Sequence, residues 1–421
     1  MSLETHIAGV DDALVSPLHF SGSPNTASYI TERRNCTFAP QSGGNFGPNG
    51  IRLLRFNLAD QSGFLDGSTL RLAFELHNKG ASGLTPVACS PACLFRRMRV
   101  IANGSAEIED IDEYGRVFEV FHTLMPPDRR MNDVAETWSG NHSQHMLDDP
   151  QQFLQLGAGK MRRVVCTLLS PFLNQGKYIP LNMIPVVLEL EVGEADYAFE
   201  GTGNSWEIFR PRLLADVLSV ENSLQNSYAK LLLDGRSLPI PMHGIYSVKA
   251  AITEGSYFSL PITRGFTRLS TIYFTFINDA AAQKEVVYFP HPALQGAGSA
   301  NDTSVDNFEF WVTIGAERYP QFACDSVQES WYRLRLANMI HQGTDTFSIT
   351  SAQYREDKFI AALNLEKAPG SAGHSGVNTR GGSQVTLHFK NINVAKANFV
   401  HVILHCDQVC SASAAGVEVL D

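Results

Sequence analysis

A strand, a tight turn and a helix run from Ala92 to Met125, and the same unit recurs from Asp306 to His341. A unit repeated once in a chain of 421 residues constrains the fold more than any other stretch, because it makes the two halves copies of one domain. In the first copy Met98, Val100 and Ala102 alternate with Arg97, Arg99 and Ile101, a half-buried strand that stops at Asn103-Gly104. A short strand, Ala106 to Ile111, pairs back, and Tyr114, Val117, Phe118, Phe121 and Met125 then fall at helical spacing. Asp110 and Asp112 are placed to cap that helix and Pro126-Pro127 to end it. In the second copy Phe308, Phe310, Val312 and Ile314 alternate up to Gly315. A helix follows, with a Ser326/Glu329 capping box, an apolar face of Val327, Trp331, Leu334, Met339 and Ile340, and a stop at Gly343.

Three further echoes keep the same order. Leu72 to Asn78 resembles Ile272 to Asn278, displaced by 200 positions. Leu54, Phe56 and Leu58 match Phe258, Leu260 and Ile262, displaced by 204, and Leu188 to Val192 matches Val400 to Leu404, displaced by 212. Offsets this consistent predict an all-β chain with a few short helices, built as two tandem eight-stranded sandwiches. The expected division is an arm over 1–27, a first sandwich over 28–195, a linker over 196–205 around Gly201 and Gly203, and a second sandwich over 206–421. The arm carries His6, Asp11, Pro17 and Pro24 and is read as able to order against a partner. Long excursions are expected at Pro126 to Lys160, Asn278 to Asp306 and Glu366 to Ser383. The first and last of these are read as lying between the same two elements of their copies.

A net charge of −10 with no Lys/Arg-rich run argues against direct nucleic-acid binding, since phosphate contacts need a basic face. The local clusters at Arg96-Arg97 with Arg99, at Arg129-Arg130 and at Arg162-Arg163 read as solvated faces. Residues 1 to 15 have neither a basic start nor an apolar core, and no apolar run nears the roughly 18 residues of a membrane span. Synthesis in the cytoplasm or nucleus is expected. Seven Cys, an odd number, suit reduced and mostly buried thiols.

No catalytic signature is present: there is no GxSxG, no P-loop and no GxGxxG after a strand. Cys89-x3-Cys93 and Cys406-x3-Cys410 lack zinc-ribbon spacing. The nearest approach to a ligand cluster is His401, His405, Cys406 and Cys410. On a strand the two histidines share a face and Cys406 points away, so polar histidines on a solvated or subunit-facing side are the preferred reading. Asp148-Asp149 reads as a solvated loop rather than an acid-base pair. Sequons at Asn35, Asn103, Asn141 and Asn301 are expected to stay unmodified without a signal peptide. No catalytic, cofactor or metal site is assigned.

Several runs resemble the double jelly-roll major capsid proteins of icosahedral DNA viruses. They are Arg99 to Gly104 through Ile108 to Tyr114, Met125 to Arg130, Tyr178 to Leu181 with Pro185 to Glu191, Ser237 to Pro241, and Phe258 to Phe276. The resemblance implies a structural protein without cofactor. Three copies would form a trimer whose six sandwiches make a pseudo-hexagonal tile in the virion. Neighbouring trimers, minor capsid or penton proteins and an internal membrane are the implied partners. Two alternatives share the architecture: a bilobed jelly-roll glycan-processing enzyme of the peptide N-glycosidase type, and a two-domain carbohydrate-binding protein.

Overall fold

The computed structural model describes residues 29–59, 63–88, 90–126, 156–279, 289–292, 308–340, 347, 349–356, 358–368 and 375–420. The arm, Cys89, Arg129-Arg130, Asp148-Asp149, Gly343 and the sequons at Asn141 and Asn301 lie outside them. The first half contains β1 (Ile30–Phe38), β2 (Leu53–Asn57), β3 (Gly63–Asn78), β4 (Phe95–Ala102) and β5 (Ala106–Asp112), then helix α1 (Tyr114–Thr123). It continues with β6 (Met161–Cys166), the two-residue β7 (Ile179–Pro180), β8 (Val186–Val192) and β9 (Trp206–Val220). Helix α2 (Asn222–Leu233) leads to β10 (Leu238–Ala251), β11 (Tyr257–Ile262), β12 (Leu269–Ile277), β13 (Glu309–Ile314) and β14 (Glu317–Cys324). Helices α3 (Val327–Ala337) and α4 (Ser351–Glu356), then β15 (Ile360–Asn364), β16 (Val385–Lys390), β17 (Phe399–Ser413) and β18 (Gly416–Leu420), complete the second half.

The sheet orders are β1-β9-β3-β6 facing β2-β8-β4-β5, and β10-β17-β12-β15 facing β11-β16-β13-β14. With β7 and β18 set aside, each half pairs its first, eighth, third and sixth strands in one sheet and its second, seventh, fourth and fifth in the other. That is one antiparallel jelly roll made twice. Period-two alternation fills both cores: Leu70, Leu72, Phe74 and Leu76 of β3 are buried, as are Met98, Val100 and Ala102 of β4. The second core is more aromatic, with Phe274 ringed by Phe310 at 4.9 Å, Phe389 at 5.2 Å and Phe276 at 6.1 Å between centroids. All six described cysteines are free thiols, and all but Cys36 are buried.

Strand pairing changes four of the expectations. Trp206 to Val220, assigned to the second sandwich, is the eighth strand of the first. It lies between β1 and β3, so residues 196–205 are a loop within that sandwich and not a linker. Its glycines read alike in either role, and only the hydrogen-bonded partners separate them. The counterpart of β8 is accordingly β16, and β17 answers to β9; Leu188 to Val192 and Val400 to Leu404 are therefore not equivalent, since alternating strands resemble one another whatever their rank. The excursion after α1 precedes a sixth strand, whereas 366–383 lies between the sixth and seventh strands β15 and β16, so these two occupy different places. The fifth strand of the second half, β14, fills the interval between Gly315 and the helix, where the sequence pattern announces no strand.

Because successive strands run in opposite directions, connections after odd-ranked strands gather at one end of each sandwich. Leu84 bridges to Leu156 and Pro86 to Phe199 in the first half, and Phe289 to Lys358 in the second. The opposite end is tied by the connections after even-ranked strands, as where Thr379 N donates to Phe266 O at 2.7 Å. At that end of the first half Glu109, on β5, accepts from Ser170 Oγ at 2.5 Å and from the Phe172 amide. Burial pushes this carboxyl up to about 7 against the pull of both hydrogen bonds. A folded pKa raised above the ordinary carboxylate value of 4.5 gives a contribution that is intact at low pH and lost as pH rises through about 7. Glu109→Gln is therefore expected to raise the thermal midpoint at pH 8 and leave it unchanged near pH 4, measured by calorimetry at both values.

Candidate functional site

The feature that joins the two sandwiches into one body is the seam between them. Alternation on β12 gives one face of Ile272, Phe274 and Phe276 for the core. The other face carries Thr271, Tyr273 and Thr275, yet all nine residues of the strand are buried. Antiparallel pairing sets His401, Ile403 and His405 of β17 beside those three residues, and Lys249, Ser247 and Ile245 of β10 beside the β17 residues. This outer face is polar, and the first sandwich covers it.

Helix α1 supplies the cover. Every residue of α1 except Phe121 is buried, including Arg116, Glu119 and His122. Tyr114 sits in the first core, where its hydroxyl oxygen accepts from Leu169 N at 2.8 Å. Phe121 packs on Tyr273 at 5.5 Å and His405 at 6.3 Å across the seam. The expected caps are not used: Asp110 is paired with Arg97. The cap position is Glu113, in the left-handed region at φ 50°, without a side-chain cap bond.

Glu113 instead belongs to a ring of alternating charges. Arg116 lies 3.3 Å from Glu113 and 2.9 Å from Asp279; Lys249 lies 2.5 Å from Asp279 and 3.6 Å from Glu113. Tyr197 donates to Glu113 at 2.8 Å. Burial by itself would raise the Glu113 pKa, but Arg116, Lys249 and the Tyr197 hydroxyl hold it below the ordinary carboxylate value. Two of the four charges come from each half, so the ring ties the sandwiches together. At the other end of the seam Lys177 Nζ donates to Pro239 O at 3.0 Å. Glu113 and Asp279 follow odd-ranked strands of their halves, and Lys177 lies in a connection after an even-ranked one. The two sandwiches therefore stand side by side and the same way up.

Of the histidines expected on a solvated or subunit-facing side, His401 lies within this seam, covered by the same chain, and His405 is half-buried at its margin. His401 is fully buried. Ser247 Oγ donates to Asp112 O at 2.6 Å, so at its 3.1 Å contact with His401 Nε2 the hydroxyl oxygen accepts and Nε2 carries the proton. Nδ1 has no hydrogen-bond partner among the described residues. Cys406 and Cys410 are buried and contribute no ligand set; no group of three or more His, Cys, Asp or Glu fit for a metal occurs among the described residues. The sequence pointed to these positions, but nothing in a single strand shows that its outer face will be buried by another domain.

Burial lowers the His401 pKa to about 3 and that of His405 to about 4. Below about 6.5 the unfolded chain takes up protons that the folded chain refuses, so stability falls as pH drops from there toward about 3. His401→Gln is expected to reduce the acid slope of the unfolding free energy by about one proton between roughly pH 6 and pH 4. Urea unfolding across that range measures it.

No family model and no curated protein matches the chain. Solved structures match it over nearly its whole length. PBCV-1 VP54, from a crystal structure fitted into a cryo-EM reconstruction of the virophage Sputnik, has a TM-score of 0.62 at 12% identity. That match covers 94% of this chain and 98% of that one. The Faustovirus major capsid protein gives 0.61 at 8% identity, covering 97% of this chain and 94% of that one. The mavirus major capsid protein gives 0.53 at 9%, also over 97% and 94%. The glycan-processing alternative gains no support from these neighbours. Strand order and extent of match agree: the chain has the double jelly-roll fold of these viral major capsid proteins.

Proposed function

We propose that the chain is the major shell-forming protein of an icosahedral virion. The observation that carries this reading is the seam: two jelly rolls fixed upright and parallel by buried contacts form a rigid two-lobed block, and three such blocks supply six lobes for a pseudo-hexagonal trimer. The neighbours that share the fold are capsid proteins, and an upright sandwich with a buried core suits a wall element whose loops can vary at either end. On this reading the protein is structural and not an enzyme, works without cofactor or metal, and resides in the virion after synthesis in the host cytoplasm or nucleus. Its partners are copies of itself, neighbouring trimers and minor capsid or penton proteins, with an internal membrane as a further candidate contact for the 1–27 arm. A net charge of −10 suits a shell that does not hold the genome directly.

Light scattering and negative-stain electron microscopy of the purified chain test the proposal. Trimers with a hexagonal outline, or hexagonal sheets, are the expected result. A chain that stays monomeric and releases glycans from glycopeptides would overturn it in favour of the enzyme.

A further inference from the structure

The contact between the two sandwiches has a direction. The fifth-strand edge of the first half, β5, lies against the first-strand edge of the second, β10. Among the described residues this leaves one edge of each kind uncovered: β14 pairs only with β13, and β1 only with β9. Each uncovered side carries an irregularity, in β14 itself and in β9 next to β1. In β14, Phe310 pairs with Cys324 and Val312 with Tyr319, so Pro320 to Ala323 oppose the single residue Trp311. A bulge of this kind re-aims side chains, and Phe322 within it is 80% exposed. In β9, Arg210 and Pro211 oppose Phe74 alone, and Arg210 takes a positive φ of 45°. A cleft of about 610 Å³ opens there, lined by Thr37, Ala39, Pro40, Phe209, Arg210 and Arg212 among others.

The internal contact predicts where these two features would meet. Asp112, the last residue of β5, accepts from Ser247, which pairs with Ile403 of β17. Ile403 also pairs with Tyr273, whose counterpart in the third strand of the first half is Ala73, and Ala73 pairs with Arg212. The place corresponding to Ser247 is therefore beside Arg212, in the cleft. The residue corresponding to Asp112 is Asp325, since each directly precedes the cap residue of the helix that follows, and Asp325 is three positions beyond Phe322.

We propose that Phe322 of one copy seats in the cleft between Ala39 and Arg212 of a second copy, repeating between chains the edge-to-edge contact made within each chain. This rests on the shell-protein reading, which requires copies to join side by side. Such a contact is head to tail, and alternating it within and between three two-lobed chains closes a ring of six lobes. A large apolar side chain entering a cleft rimmed by arginines has the character of an interface hot spot.

The test uses the full-length chain. Phe322→Glu is expected to raise the concentration at which trimers dissociate by roughly 30-fold or more, read by light scattering. Leu233→Glu, an equally exposed change on α2, should leave it as in the wild type. A benzophenone amino acid at position 322 should crosslink, in the trimer, to residues 39–45 or 209–212 of another copy, identified by mass spectrometry. A wild-type trimer whose crosslinks map elsewhere, or a Phe322→Glu trimer of unchanged affinity, overturns this inference and leaves the shell reading standing. A wild-type chain monomeric at every concentration, forming no sheets, overturns both.

Discussion

Truncating Phe274 to alanine is expected to lower the stability of the second sandwich by about 3–5 kcal/mol. The ring is fully buried on the inner face of β12. It makes edge-to-face contacts with Phe310, Phe389 and Phe276, and Phe276 in turn meets Phe308 and Phe389. Removing it loses the transfer free energy of the ring and leaves a cavity walled by other rings, which are too stiff to collapse into the gap. Against a total stability of about 5–15 kcal/mol the loss is a large share. Chemical denaturation followed by tryptophan fluorescence measures it, and a cost under about 1 kcal/mol would show that the aromatic cluster is not tightly packed. Phe274→Leu, which restores most of the volume, should recover more than half of the loss.

Arg116→Ala is expected to cost about 3–5 kcal/mol, by a different route. Arg116 is almost wholly buried and stands between Glu113 and Asp279 in the ring of charges at the seam. Its removal leaves two carboxylates facing one ammonium group, with Glu113 5% exposed and unable to regain water. Part of that cost should be recovered when Glu113→Gln is added, because the uncompensated charge goes with it; a double-mutant cycle in urea reads the coupling. Equal losses in the single and double variants would mean that Arg116 acts through packing and not through charge. Since the ring spans both halves, the single variant should also expose the seam to protease before either core unfolds, with early cleavage near α2 seen on a denaturing gel.

Much of this architecture can be read along the chain. Strands β3, β4, β12 and β13 are written in period-two alternation, because a strand buried on one face must place its apolar residues at every second position. Helix α3 was legible from Ser326, whose hydroxyl accepts from Glu329 N at 3.3 Å. The reciprocal half of the box did not follow, since the Glu329 carboxylate pairs with Arg333 instead. The arginines of β4, expected on a solvated face, lie on the outer face and are partly exposed, Arg97 meeting Asp110 and Arg99 meeting the buried Glu189.

Alternation names the faces of a strand but carries no record of its neighbours, and the misplacements came from that. The residues of β9 would suit the start of a second domain as well as the end of the first, until Leu213, Val217 and Ser219 are seen paired to β1 and β3. The same holds for His401, whose solvated or buried state depends on a helix from the other half of the chain. The sequence by itself determined that two sandwiches of like design would form, through the period and order of their strands. Only the tertiary structure decided where one sandwich ends, which polar face is sealed and which edges are left open, because those are set by contacts between residues more than a hundred positions apart, to which local hydrophobic patterning is blind.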